Sequence, residues 1–306
     1  MKILVATEKP FAADAVKKIK QIIDDSGFEF ILFEKYTDKS QLLEAVKDVN
    51  AIIIRSDIID ADVLNAAKQL KIVVRAGAGY DNIDLIAATS HSVVAMNTPG
   101  QNSNAVAELA LGLMVYAARN MYDGSSGTEL FGKKLGIHAY GNVGRNVARI
   151  AKGFGMEIYA YDAFVPAEAI EKDGVKVLAS VDELYSTCQY VSINIPATAE
   201  TKNSINYSLL EKMPKKAVLI NTARKEVINE ADLMKIMEAR SDFKYMTDVT
   251  PSNNDEMKTK FPKQYFTTPS KMGAQTSEAN NNAGIAAANQ IVDFFKTGNT
   301  KFQVNK

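Results

Sequence analysis

Between Leu135 and Asp162 the chain reads LGIHAYGNVGRNVARIAKGFGMEIYAYD, and few folds accommodate that order of residues. A short apolar run, Leu135 to Ala139, is bounded by polar chain and is long enough for one buried strand. A tight turn follows with Gly141 and Gly144, and then Val143, Val147, Ile150 and Ala151 recur at helical spacing. Phe154 to Met156 lead into a second apolar run, Ile158 to Tyr161, which stops at Asp162. Strand, glycine turn, helix and strand, closed by a carboxylate, form one compact unit of a parallel sheet.

Such a unit suits a dinucleotide. Glycines let the backbone approach a pyrophosphate, and the helix start presents unpaired N–H groups to it. The candidate contacts are Ala139, Gly141, Asn142, Val143 and Gly144. Asp162, roughly 20 residues on, is placed to accept from both ribose hydroxyls and to repel a 2′-phosphate, which favours NAD over NADP. One position departs from the G-x-G-x-x-G pattern: alanine stands at 139, the smallest change available, and it tightens the turn. A glycine turn in some other α/β sheet is the competing reading.

The 306 residues suffice for two domains with proper cores. Lys and Arg balance Asp and Glu at 36 each, so neither nucleic acid nor an anionic membrane is implied as a partner. A single Cys188 leaves no disulfide framework and fits a reducing compartment. The longest apolar stretch, Ala105 to Ala118, is too short for a membrane span and is broken by Glu108. Met1 to Ala6 runs straight into a strand with no leader, so a cytoplasmic protein is expected.

Strands alternate with helices along the first hundred residues, which implies a parallel sheet whose ligands gather at the carboxyl ends of its strands. Two of those ends carry arginine: Arg55 after Ala51 to Ile54, and Arg75 after Ile72 to Val74. Arg75 runs into Ala76-Gly77-Ala78-Gly79-Tyr80-Asp81, a loop whose N–H groups suit an anion. A lone strand-end arginine is usually a solvated surface residue; two beside a glycine loop favour anion binding. Ser103 to Met121 reads as one helix, apolar nearly all round, to be covered by a second domain or a partner chain. Beyond Asp162, Tyr190 to Ile195 is a strand stopped by Pro196, and Ala217 to Ile220 is followed by Asn221-Thr222-Ala223-Arg224. Tyr245 to Thr247 ends in Asp248; Phe266 to Thr268 leads to Pro269, Ser270 and Lys271, before a helix from Glu278 to Phe295. The Asn280-Asn281-Asn282 run is too short to carry weight.

Three segments in order, Arg75 to Asp84, Met96-Asn97-Thr98-Pro99 and Asn221-Thr222-Ala223-Arg224, give the chain a whole-length resemblance to the D-2-hydroxyacid dehydrogenases, and within them to the branch acting on 3-phosphoglycerate. The resemblance implies two doubly wound, parallel-sheet α/β (Rossmann-like) domains. The substrate domain would be discontinuous, residues 1–98 plus 273–306, around an NAD-binding domain of residues 99–272. It further implies a homodimer through the 103–121 helix. Since the chain ends at Lys306, the regulatory domains of longer members, and feedback by serine, are not expected.

By position, the family implies that Arg224 grips the substrate carboxylate and carbonyl oxygen, with the backbone of Gly77 and Ala78 on the same carboxylate. Arg55 and Arg75 match arginines that bind phosphate, a task suited to guanidinium forks. Asp248 matches the acceptor of the nicotinamide carboxamide, and Pro196, Thr222 and Ala223 join the glycine turn and Asp162 around NAD.

The departures concern the proton. The family's acid/base is a histidine directly after Thr-Pro, supported by a glutamate about five residues past the Asp248 equivalent. This chain has only His91 and His138, both read as structural, and Asn253 at the glutamate position. Counting forward from Pro269 puts Ser270 at the histidine position. Counting backward from Glu278 aligns Lys271-Met272-Gly273-Ala274-Gln275-Thr276 with the family's His-Ile-Gly-Gly-Ser-Thr, so one residue has been added and Lys271 stands for the histidine. A free lysine sits near ~10.4 and must fall by several units to act as a base. Burial and a neighbouring cation such as Arg224 push that way, and a glutamate would push back. Losing the glutamate with the histidine is therefore what a lysine base requires. The alternative is a solvent lysine in a loop.

The expected activity is NAD-dependent oxidation of 3-phosphoglycerate to 3-phosphohydroxypyruvate, the first step toward phosphoserine. A glyoxylate or hydroxypyruvate reductase is a close alternative, which the arginine pair argues against. A non-catalytic NAD(H)-sensing protein on the same fold is a third, which retention of Arg224 argues against.

Overall fold

The computed structural model describes all 306 residues and divides into two units, Met1–Asn102 with Thr276–Lys306, and Ser103–Gln275. The first unit alternates β1 (Lys2–Thr7), α1 (Ala13–Asp25), β2 (Glu29–Glu34), α2 (Lys39–Ala45), β3 (Ala51–Ile54), α3 (Ala61–Ala66), β4 (Ile72–Arg75), α4 (Leu85–Ser90) and β5 (Val94–Asn97). A C-terminal helix, Ser277–Thr297, packs on α1. The strands are parallel in the order β2-β1-β3-β4-β5. Direction reverses between β1 and β3, so their carboxyl ends flank the crevice where such sheets take ligands. Because both faces carry helices, β3 is buried at every residue.

The second unit runs α5 (Ser103–Ala118), β6 (Lys134–His138), α6 (Asn142–Gly153), β7 (Glu157–Tyr161), α7 (Ala167–Glu171), β8 (Lys176–Val177), α8 (Val181–Thr187), β9 (Tyr190–Ile193), α9 (Tyr207–Leu210), β10 (Val218–Asn221), α10 (Glu230–Ala239), β11 (Lys244–Thr247), α11 (Asn254–Lys260) and β12 (Tyr265–Thr267). Its seven parallel strands are ordered β12-β11-β10-β9-β6-β7-β8, with the reversal between β6 and β9. Both units are doubly wound α/β sheets.

Two expectations change. The long helix stops at Ala118 rather than Met121, and Asn120–Tyr122 form a left-handed turn with φ of 50, 55 and 59°. Lys244 explains the stop: its Nζ donates to Ala117 O at 2.8 Å and Asn120 Oδ1 at 2.9 Å, capping the exposed carbonyl end. Nor does α5 need a partner for most of its apolar surface. It packs on α6, β10 and β11 of its own unit, leaving only Asn104, Glu108 and Gly112 exposed. No helix is long and apolar enough to cross a membrane.

Candidate active site

The glycine turn sits on the carboxyl end of β6, at the reversal. Gly141 caps α6, and a Cβ there would meet nothing within 4 Å, so the approach to the helix start is open. At Gly144 a Cβ would lie 2.4 Å from Ala139 O and 2.9 Å from Ile137 Cγ2, so only glycine lets α6 press against the strand. Ala139 adopts φ +76°, a left-handed conformation costing an L-residue about 1–2 kcal/mol. Two bonds to the end of β7 hold it: Ala139 N–H to Tyr161 O at 2.9 Å, and Tyr140 N–H to Asp162 Oδ2 at 2.6 Å. Asp162 Oδ1 accepts from Phe164 and Val165 N–H at 2.8 and 2.9 Å, so the expected ribose ligand also straps the turn. Asn142 and Val143 form the first turn of α6.

Tyr140, which the sequence reading passed over, is fully buried beneath this turn. Its hydroxyl and Arg145 Nη1 both donate to Asp173 Oδ2, at 3.2 and 2.7 Å. A tyrosine between Ala139 and Gly141 gives no local hint of a partner 33 residues away.

Three neighbouring strands then present buried acceptors that find no partner in the protein: Asn194 Oδ1 past β9, Thr222 Oγ1 past β10, and Asp248 Oδ1 past β11. A buried polar atom left unmatched costs about 1–3 kcal/mol, so their clustering on one edge beside the glycine turn fits a polar dinucleotide laid across it. Strand β9 ends at Ile193 rather than Ile195, because Asn194 turns back with its amide donating to Ser192 O at 3.1 Å; Pro196 follows in the loop.

Arg224 and Lys271 converge on one atom. Asn221, buried at the end of β10, accepts from Ala223 N–H and donates to Arg224 O, both at 3.0 Å, and so folds Thr222-Ala223-Arg224 into a tight turn. Ala223 O points outward, accepting from Arg224 Nη1 at 2.9 Å and from Lys271 Nζ at 3.5 Å. Lys271 is exposed at the end of a loop that Thr268 Oγ1 braces through Ser270 O at 2.6 Å. Asn253, expected at the glutamate position, donates its amide nitrogen to Met234 Sδ.

In the first unit, Arg55 clasps the turn after β1: Nη1 donates to Lys9 O and Pro10 O at 2.9 and 3.0 Å, Nη2 to Asn280 Oδ1 at 2.8 Å, and the guanidinium lies over the Phe11 ring. Asn280, dismissed as part of a polar run, is thus a fixed partner of a candidate ligand. Arg75 Nε donates to Arg55 O at 3.0 Å, and its Nη1 lies 1.5 Å from where a Gly77 Cβ would be. Gly77 is needed so that Arg75 can fold over the loop. Gly77 spends its N–H on Arg75 O at 2.9 Å, and Ala78 O accepts from Asn97 at 2.6 Å. Asp57, also missed, is a buried carboxylate receiving Glu8 N–H, Arg55 N–H and the Tyr36 hydroxyl, at 2.8, 3.0 and 2.7 Å.

Neither histidine joins these groups. Exposed His91 ends α4, bonded to Ala87 O and Asn65 Oδ1. His138 is buried at the end of β6 against Tyr185, and burial lowers its pKa to about 4, opposed in part by Asp162. The folded value lies below the unfolded ~6.5, so this histidine's stabilising contribution is complete above pH ~6.5 and is lost as pH falls toward 4. At pH 5 we expect His138→Leu to have lost roughly 2 kcal/mol less than wild type relative to pH 7.5. Urea unfolding of both proteins at the two pH values measures it; identical losses would refute it.

A sheet reversal with a glycine turn after β6, a carboxylate directly after β7 and an arginine past β10 is the architecture of a dinucleotide-dependent dehydrogenase. Residues 103–269 match the D-isomer specific 2-hydroxyacid dehydrogenase NAD-binding domain, and the chain belongs to that family. It is similar over its full length to the NAD+-bound 3-phosphoglycerate dehydrogenase of Entamoeba histolytica, at 47% identity and TM-score 0.88, covering 100% of this chain and 99% of that one. It is 32% identical to the D-3-phosphoglycerate dehydrogenase of Methanocaldococcus jannaschii across 95% of this chain and 57% of that protein. It is also 32% identical to the hydroxypyruvate reductase of Thermotoga maritima, across 86% and 90%. The chain therefore spans a little over half the length of the archaeal phosphoglycerate dehydrogenases it matches.

Proposed function

We propose that the chain is an NAD-dependent dehydrogenase interconverting 3-phosphoglycerate and 3-phosphohydroxypyruvate, with Lys271 as its acid/base. The observation that carries this reading is the shared acceptor Ala223 O, which draws the Arg224 fork and the Lys271 ammonium together past the end of β10. Arg224 holds the substrate carboxylate and the oxygen on carbon 2. Lys271, unprotonated, takes the hydroxyl proton from that oxygen. Bound NAD supplies the acceptor for the hydride leaving carbon 2, and the product is the 2-oxo acid. In reverse, protonated Lys271 returns its proton to the carbonyl oxygen. Pro196, Thr222 and Ala223 line the cofactor edge with Asp248, whose unpartnered Oδ1 suits the nicotinamide carboxamide.

Arg55 and Arg75 are assigned to the phosphate. Arg75→Ala is expected to lower kcat/KM for 3-phosphohydroxypyruvate roughly 10–100-fold, the value of one or two charge-assisted hydrogen bonds, and to leave hydroxypyruvate turnover nearly unchanged. Steady-state NADH consumption with both substrates measures it, and equal losses would remove the phosphate assignment. One observation favours the second reading, a hydroxypyruvate or glyoxylate reductase: Arg55 is already engaged by Lys9, Pro10 and Asn280. The same substrate pair separates the two.

We also propose a homodimer through the 103–121 helix, where Ala105, Leu109, Val115 and Tyr116 are only partly buried. The buried, unpaired Cys188 suits a reducing, cytoplasmic setting.

A further inference from the structure

Asp248 is one of two carboxylates in the chain that are buried, the other being Asp57, and its two oxygens are used differently. Oδ2 accepts from Met272 N–H at 3.1 Å and Gly273 N–H at 2.6 Å, the two residues directly after Lys271. Oδ1 is buried and finds no partner in the protein. Gly273 is pressed so closely that a Cβ would stand 3.0 Å from Oδ2 and 3.2 Å from Val106 Cγ2. Lys271 itself is exposed. Something other than burial must fix where its ammonium lies. The backbone bonds that do so on its C-terminal side both end on Asp248.

We infer that Asp248 is the positioning residue for Lys271. One oxygen clamps the loop while the other stays available to the nicotinamide carboxamide, so that cofactor binding and placement of the acid/base are coupled through a single side chain. The inference rests on Lys271 being the acid/base. A hydrogen bond gained at Oδ1 fixes the carboxylate plane, and the plane sets the direction in which Oδ2 receives Met272 and Gly273. The enzyme thereby orders its base when a hydride acceptor is in place.

Hydrogen–deuterium exchange of the Lys271–Gln275 segment tests this, with the β12 segment as internal control. Asp248→Ala is expected to speed exchange at Met272 and Gly273 at least ten-fold without cofactor. Gly273→Ala, which crowds the clamp and keeps the carboxylate, is expected to do the same and guards against a misfolded first variant. Saturating NAD should slow exchange there in wild type and not in Asp248→Ala, and kcat should fall at least as far as the KM for NADH rises. Unchanged exchange in both variants, or no effect of NAD on wild type, overturns the inference. If exchange responds as described while Lys271→Ala keeps full turnover, the clamp stands and the acid/base reading falls. If Lys271→Ala is inactive and exchange never changes, the clamp alone fails.

Discussion

Lys271→Ala is expected to bind NADH normally and to lose turnover by roughly 10²–10⁴-fold, the range that positioned proton transfer contributes. The reason is geometric. Neither histidine joins these groups: His91 ends α4, and His138, at the end of β6, is buried against Tyr185. Asn253, expected at the glutamate position, donates its amide nitrogen to Met234 Sδ. The exposed lysine at Ala223 O is then the titratable group that can meet the substrate hydroxyl. NADH consumption with 3-phosphohydroxypyruvate, beside a fluorescence titration with NADH, separates loss of chemistry from loss of cofactor. A variant within a few-fold of wild type would move the role to a water or to Asp255 or Glu256; Glu256 already pairs with Lys260 at 2.8 Å.

Arg224→Lys is expected to cost roughly 10²–10³-fold in kcat/KM although the charge is kept. One arm of the fork, Nη1, is tied back to Ala223 O, and the remaining N–H groups are those free to meet a carboxylate and a developing oxyanion side by side. An ammonium offers no planar pair. Because the Asn221 cradle fixes the turn through backbone atoms, the substitution should leave the fold intact. Comparing kcat/KM and thermal unfolding of wild type and variant checks this; a loss under ten-fold would mean that the fork contacts neither group.

The parallel sheets were legible because strands buried on both faces, such as Ala51–Ile54, read as unbroken apolar runs between helical periods. Short helices were not. Leu85–Ser90, Ala167–Glu171 and Asn254–Lys260 run five to seven residues, too few for a period to show, and α11 contains a single buried residue, Met257. At the site, strand ends announced Arg55 and Arg75, because a charged residue closing an apolar run is visible locally, whereas the roles of Arg224 and Asp248 came from the family resemblance. Their partners were not visible. Arg55 meets Asn280 across 225 positions, and Asp248 meets Gly273 across 25, pairings set by the return of the chain rather than by spacing. The same holds for Ala139: the departure was readable, but the Tyr161 and Asp162 bonds that hold its positive φ depend on register between β6 and β7.

Chemical rescue bears most directly on the claim that a lysine amine does the work of an imidazole here. Added methylamine or ethylamine is expected to restore turnover to Lys271→Ala in a saturable way and to do nothing for Arg224→Ala. A Lys271→Ala protein that consumes NADH at the wild-type rate with no amine present would contradict the account.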